Sequence, residues 1–389
     1  GWATQTWAAM VNNQLASARE KKILGIVCII AITAVLAATL WPFNPSPTNG
    51  VRWLADANGI AFDGAGLVMS NSSLDAAVGG PGSCSLEILL KPADTQSFYT
   101  ILGFYTPSNP KQFLVRQWTD GLIVSHDVVG AKNDRRRAKF DVDHAFQVDK
   151  LLLLTIVSGP DGTVVYSNGQ LAQAFPRFMI SSNDLSGQII LGSSAVDYEP
   201  WPGEVRGLAI YSGELTPAQV LQHFEDWTRS PKGAPLDTDG AVALYSFTEG
   251  MGREIHSTVG SGPDLEIPKS FTVPHKAVLA SPMKEFQANW LYVKDVLLNI
   301  GGFVPLGFVL CLYFASMYSR GKAIVLTILA AGALSFAIEV LQAFIPRRVS
   351  GTTDIITNTL GAAIGVTLAR PGMVLRFLGR LRRNRHTAV

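Results

Sequence analysis

The run from Ile23 to Trp41 carries no charged residue. It comes close to the roughly 20 apolar residues that a helix needs to cross a bilayer, so this chain is not a globular protein throughout. Arg19, Lys21 and Lys22 stand just before the run, and Pro42 and Pro45 just after it. Basic residues mark the cytoplasmic end of a span, which places the N-terminus inside. The run reads as a signal anchor. A cleaved signal peptide is the rival, because Ala37-Ala38 lies near its end. Ahead of it, Trp2, Trp7, Val11 and Leu15 fall near helical spacing, which suits an interfacial helix or a frayed tail.

Three further apolar runs close the chain, roughly Val296–Tyr318, Ala323–Ile345 and Ile355–Leu368. The last is short and is extended back to about Thr352, with Asp354 inside it. Arg320 and Lys322 separate the first two. A tail with Arg370, Arg376, Arg380, Arg382, Arg383 and Arg385 follows the third. With the N-terminus inside, four crossings return both basic segments to the cytoplasm, so parity and charge bias agree. Arg347 and Arg348 fall in an outward loop, where topology does not require them. These spans explain why only 16% of the 389 residues are charged, against about 25% in ordinary soluble domains. The net charge of +2 suggests no nucleic-acid partner. Cys28, Cys84 and Cys311 form no disulfide framework.

Between the spans, residues ~50–270 alternate short β-rich runs with Gly, Pro, Asn and Asp, as an all-β sandwich does. Examples are Ser85–Leu90, Phe113–Arg116, Leu151–Val157 and Thr163–Tyr166. Asn168-Gly169 after the last marks a hairpin turn. The stretches 154–171, Ile189–Gly192, Trp201–Tyr211 and 85–92, with a closing helix at Leu215–Leu221, resemble laminin-G-like, concanavalin A-type jelly rolls over about 170 residues. Ala243–Gly250 and Pro263–Pro268 resemble a strand that opens such domains. Here it comes last, so an extra hairpin or a return to the membrane is expected. The fold permits sugar binding, protein binding or glycoside hydrolysis. Hydrolysis needs two carboxylates about 5–9.5 Å apart. Asp141 and Asp143 are the one i, i+2 pair near a strand, and they read as a polar strand edge. Asp134-Arg135-Arg136-Arg137 reads as a solvated loop or a contact for an anionic partner. No dense Asp cluster suggests calcium.

The C-terminal quarter resembles the VanZ family of small bacterial membrane proteins, named for a teicoplanin-resistance member. One block runs from Asp295 through Asn299, Phe303 and Pro305 to Gly307. The other spans Ser335–Arg348 and Asp354–Gly365. The family often has another acid between the Arg and the last helix's Asp. Here that stretch is Val-Ser-Gly-Thr-Thr, which implies a weakened polar site. The spacing carries its own argument. Glu339 and Gln342 are i, i+3; Asp295 and Asn299, like Asp354 and Asn358, are i, i+4; each pair shares a helix face. A charged residue at mid-span costs roughly 2.5–3.5 kcal/mol, so these groups should face inward and pair. Arg348 is expected to meet Asp354 or Glu339, with Asn358 and Gln342 completing the network. Gly361 and Gly365, four apart, admit a close helix neighbour. The network is either a pocket for a lipid headgroup or glycan-linked lipid, or a latch between helices.

The expected architecture is a multidomain membrane protein, with a concanavalin A-like β-sandwich outside and an α-helical domain giving four spans in total. Residues 1–22 are cytoplasmic, 23–41 the anchor, 42–290 the periplasmic sandwich with its extension, 291–370 the VanZ-like domain and 371–389 the tail. The site is expected in the bacterial inner membrane, with both termini cytoplasmic. No nucleophile elbow, phosphate loop or metal-spaced histidine set appears, and no histidine lies in a span to hold haem or chlorophyll. No cofactor is expected. The leading expectation is a non-enzymatic accessory or scaffold subunit of a larger membrane assembly, for example a photosynthetic or respiratory one, with lipids and proteins as partners. The alternative is a cell-envelope binder of a glycan or lipid-linked precursor; an enzyme acting on such a substrate ranks last.

Overall fold

The computed structural model describes residues 2–77, 82–129, 135–229, 239–259, 262–286 and 288–369, without the side chains of 2–17, 129, 135 and 284. The N-terminal aromatic face, Asp134 and the basic tail therefore lie outside the described residues. The chain forms two compact units. One is Ser46–Lys276; the other joins Gly1–Pro45 to Ala277–Val389.

The Ser46–Lys276 unit is built from two antiparallel sheets. The first contains β1 (Val51–Trp53), β2 (Ile60–Asp63), β4 (Cys84–Pro92), β9 (Leu152–Gly159), β10 (Gly162–Ser167), β11 (Gln170–Phe175), β13 (Pro202–Tyr211) and β14 (Ala241–Tyr245). Its order is β1-β2-β13-β4-β9-β10-β11, with β14 also on β13. The second contains β3 (Val68–Ser70), β5 (Phe98–Thr106), β6 (Asn109–Trp118), β7 (Gly121–Val129), β8 (Arg135–Val142), β12 (Gln188–Leu191), β15 (Glu254–Ile255) and β16 (Leu265–Glu266). Its order is β15-β16-β3-β12-β5-β6-β7-β8. Asn168 and Gly169 both take positive φ, 53° and 78°, as a two-residue hairpin turn between right-twisted strands requires. The late segment includes an extra hairpin, the antiparallel pair β15–β16. It supplies β14 to the first sheet and β15–β16 to the edge of the second.

One core contains side chains of both sheets, among them Leu86, Ile88 and Leu90 of β4, Leu102 and Phe104 of β5, and Phe113 of β6. The alternate positions of the first sheet are buried too. Leu89, Leu153, Val157, Ala209 and Tyr211 pack with Val220 and Trp227 of helix α2 (Pro217–Arg229). Gly207 permits this, since a Cβ there would lie 2.2 Å from the Trp227 ring.

The other unit is helical, with α1 (Trp2–Leu40), α3 (Pro282–Glu285), α4 (Trp290–Ala315), α5 (Arg320–Ala343) and α6 (Thr352–Leu368). Among the described residues, three stretches are long and apolar enough to cross a membrane, namely Ala18–Leu40, Trp290–Ala315 and Arg320–Ala343. Helix α6 has 17 residues, or about 25 Å at 1.5 Å per residue. That is short of a hydrocarbon core of about 30 Å, so a fourth span does not follow from length.

Candidate functional site

Glycine sets the geometry of the helical unit. A Cβ on Gly361 would lie 2.2 Å from the Ile300 carbonyl oxygen, and one on Gly365 2.2 Å from that of Val304. Across the same seam, a Cβ on Gly307 would lie 2.3 Å from the Ala362 oxygen. The backbones of α4 and α6 therefore touch, as small residues allow inside membranes. This brings Asn299 to Asp354, and its Nδ2 donates to Oδ1 at 2.8 Å.

The start of α6 gathers the acids. The first N–H groups of a helix lack partners in the helix, and its N-terminus carries about +0.5 charge. Glu339 Oε2, from α5, accepts from Gly351 N at 2.8 Å. Glu285 Oε2, from α3, accepts from Thr353 N at 3.0 Å and from its hydroxyl. Gly351 makes room, since a Cβ there would fall 1.3 Å from Glu285 Oε1. A carboxylate thus reaches the stretch that lacks its own acid. Glu339 is 1% exposed, and its carboxyl faces that of Asp354 at hydrogen-bonding range. A carboxylate has no donor, so an attractive contact needs a proton on one of the two. A second rung lies one turn along each helix. Asn358 Nδ2 donates to Ser335 Oγ at 3.0 Å. Asn358 is 4% exposed and its Oδ1 has no hydrogen-bond partner.

Among the described residues Arg348 forms no ion pair with Asp354 or Glu339, and both it and Gln342 reach the end of α1. Arg348 Nη2 donates to the Trp41 carbonyl at 3.0 Å, and Gln342 Nε2 to that of Thr39 at 2.9 Å. The last carbonyls of α1 have no partners in the helix, and a cation suits that negative end. Asp295 stands exposed one turn before Asn299. Among the described residues, none of Glu285, Asp295, Glu339 and Asp354 forms an ion pair. Nor do three His, Cys, Asp or Glu side chains gather there as metal ligands would. The chemistry offered is that of acceptors seeking a donor.

A second buried polar cluster, in the sandwich, escaped the sequence reading. Glu87 on β4 is fully buried. Its Oε2 accepts from Tyr211 OH at 2.9 Å and Trp227 Nε1 at 3.0 Å, and its Oε1 from Thr155 Oγ1 at 3.3 Å. His223 Nδ1 lies 3.2 Å from Glu87, and its Nε2 is 2.9 Å from Asp239. Burial opposes a charge on His223, but hydrogen bonds and charges from Glu87 and Asp239 outweigh it and hold its pKa above the ordinary histidine value. The signal was present in part, for β4 and β9 are apolar on both faces, which implies that both are covered.

The arginine run is not a loop. It forms β8, where Arg137 donates to Asp127 through Nη2 at 2.7 Å. Asp141 lies near Lys139, 3.5 Å from its ammonium, and Asp143 is exposed.

Among curated proteins, none matches the chain. Among solved structures, the chain is similar to a candidate carbohydrate-binding protein from Bacteroides ovatus at 14% identity and a TM-score of 0.38. That match covers 59% of this chain and 62% of the other, less than two thirds of its length. The chain is also similar to a SAP-like pentraxin from Limulus polyphemus (15% identity, 57% and 93% covered, TM-score 0.34). A third similar structure is the CBM40 of the Ruminococcus gnavus IT-sialidase, solved with α2,3-sialyllactose (13% identity, 42% and 95% covered, TM-score 0.32). The model of the VanZ/LLP1 family matches residues 251–376, a range that holds α3 to α6 and all four acids of the cluster.

Proposed function

We propose that this is a non-enzymatic membrane protein of the bacterial cell envelope whose helical unit binds the headgroup of a lipid or lipid-linked precursor. Its topology is four crossings, with α6 as the fourth, both termini cytoplasmic and the sandwich outside. Helix α6 is short, and the acid-bearing end then sits at the outer interface, where headgroups lie. One observation carries the binding reading: Glu339 and Asp354 sit together without a cation, beside an Asn358 oxygen with no partner. Buried acceptors without donors are costly, and a headgroup amine or hydroxyl supplies the donor.

The test compares headgroups with and without such a donor. The full chain in nanodiscs is expected to retain phosphatidylethanolamine over phosphatidylcholine, whose quaternary nitrogen has no N–H. Glu339→Gln with Asp354→Asn should abolish the preference while the fold survives. Equal retention of both lipids, or a preference that outlives the double variant, overturns the reading and leaves a latch.

A scaffold role is the second reading. It is favoured by β11, the last strand of the first sheet, which is exposed along Gln170–Ala174. A sheet edge offers backbone groups to another chain. Purification from native membranes as a lone monomer would end that reading.

A further inference from the structure

Helix α3 sits in a strap, residues 278–286, that is tied to the start of α6. Ala280 bridges to Gly351 in parallel. Its N–H donates to the Ser350 carbonyl at 3.0 Å, and its carbonyl accepts from Thr352 N at 2.9 Å. Glu285 adds its bond from Thr353 N. The strap is therefore fixed to the helical unit, yet Met283 and Phe286 are 92% and 64% exposed. Other exposed apolar side chains stand at the same end of the unit. Trp41 and Phe43 follow α1, Trp290 opens α4, and Val349 lies between α5 and α6. Arg348 on Trp41 and Glu285 on Thr353 hold these stretches together.

Single exposed apolar residues are ordinary on a soluble surface, but a group of them from four chain stretches marks a contact site. Its chemistry names the partner. Trp41 directly follows the apolar stretch Ala18–Leu40, and Trp290 begins Trp290–Ala315. Indole rings, apolar with one N–H donor, concentrate where acyl chains meet headgroups. Leu297 and Leu298 of α4 are exposed as well, so the patch continues along the flank of a span. Lys294 and Asp295 are exposed near the start of the same helix. Headgroups accommodate charge and the acyl core resists it, which sets the patch at the interface and no deeper. We infer that the 278–286 strap is an interfacial anchor lying in the outer face of the bilayer, with Met283 and Phe286 inserted among the lipids. The inference rests on the crossings of α1 and α4 proposed above and needs no headgroup preference.

The test places one nitroxide at a time on the full chain, in nanodiscs of phosphatidylcholine alone so that headgroup selection stays out of the readout. Met283→Cys and Val349→Cys carry the label in the patch. Met251→Cys, at a position 78% exposed in the sandwich unit, is the aqueous control. Cys28, Cys84 and Cys311 are buried, and the parent chain gives their labelling background. Oxygen concentrates in lipid and nickel ethylenediaminediacetate in water, so the ratio of their collision rates with the label reads depth. The ratio at positions 283 and 349 is expected to exceed that at 251 severalfold, as for a segment about 5–10 Å into the headgroup boundary. Phe286→Asp should return the label at position 283 toward water. A ratio at 283 equal to that at 251 puts the strap in water, and few collisions with either reagent put it against protein. Either result overturns the inference. Inserted labels together with equal retention of phosphatidylethanolamine and phosphatidylcholine would overturn the headgroup reading alone.

Discussion

Glu87 in the sandwich and Glu339 in the helical unit are both buried glutamates, at 0% and 1% exposure, yet their surroundings differ in kind. Glu87 is closed in by Tyr211, Trp227, Thr155 and His223, and His223 is itself held by Asp239. Glu339 has one backbone donor and faces a second carboxyl. The sandwich brings a histidine to its buried acid; the helical unit sends its cation Arg348 to the end of α1. A fully satisfied network rigidifies a fold, while a partly satisfied one is costly unless something else completes it.

The sharpest way to break the comparison is to remove both acids in turn. Glu87→Ala strands three donors and a histidine, and breaking a buried pair this way costs about 3–5 kcal/mol. Glu339→Gln keeps the shape and should cost about 1 kcal/mol. Urea unfolding read by amide exchange in peptides of each unit checks both. Equal costs would make both clusters structural.

Next in size is the seam that positions the acids. Gly361→Leu forces a side chain against the Ile300 carbonyl, and overpacking of this kind costs about 1–3 kcal/mol. It should also part Asn299 from Asp354, so phosphatidylethanolamine retention falls with helical-unit stability while the sandwich is unchanged. Retention that survives would free the site from the glycine seam.

A pH series sharpens the sandwich half. His223 holds its proton more tightly folded than unfolded. Its stabilisation is complete below about pH 6.5, the unfolded value, and is lost as pH rises through the folded value. Unfolding midpoints of the sandwich should therefore fall as pH rises above that point, and His223→Gln should flatten the slope. His144 and His256, each bonded to a surface aspartate, shift the same way, so the difference between wild type and variant isolates His223. Parallel slopes would mean that His223 is neutral in the fold.

The two halves were unequally legible. Apolar runs announce spans by length, and Gly361 and Gly365 announce a close seam by spacing, so most of the helical unit could be read along one dimension. The identity of the acids was legible because charge is rare there. Their partners were not. Glu285 comes from a short helix far from the motif, and Arg348 answers to α1's carbonyls, which no side-chain pattern shows. In the sandwich, Glu87 and His223 lie far apart in sequence, and only folding α2 onto the sheet makes them neighbours. Asn168-Gly169 and the strand runs were local, and the fate of the 241–268 segment, shared between two sheets, was not.

The smallest expected effect tests what holds α2 in place. Arg229 pairs with Glu225 at i, i+4, and the two side chains are 72% and 42% exposed. Water screens such a pair, and fixing two long side chains offsets its attraction, so Arg229→Ala should change sandwich stability by about 0.3–0.5 kcal/mol. Val220, His223 and Trp227 of the same helix are all buried against the sheet. If they fix α2, a loss at its exposed end stays within that range and disappears at high salt. A loss comparable to that of Glu87→Ala would mean that surface charge docks α2. The closed network around Glu87 would then follow from that docking instead of causing it, and the contrast with Glu339 would lose its meaning.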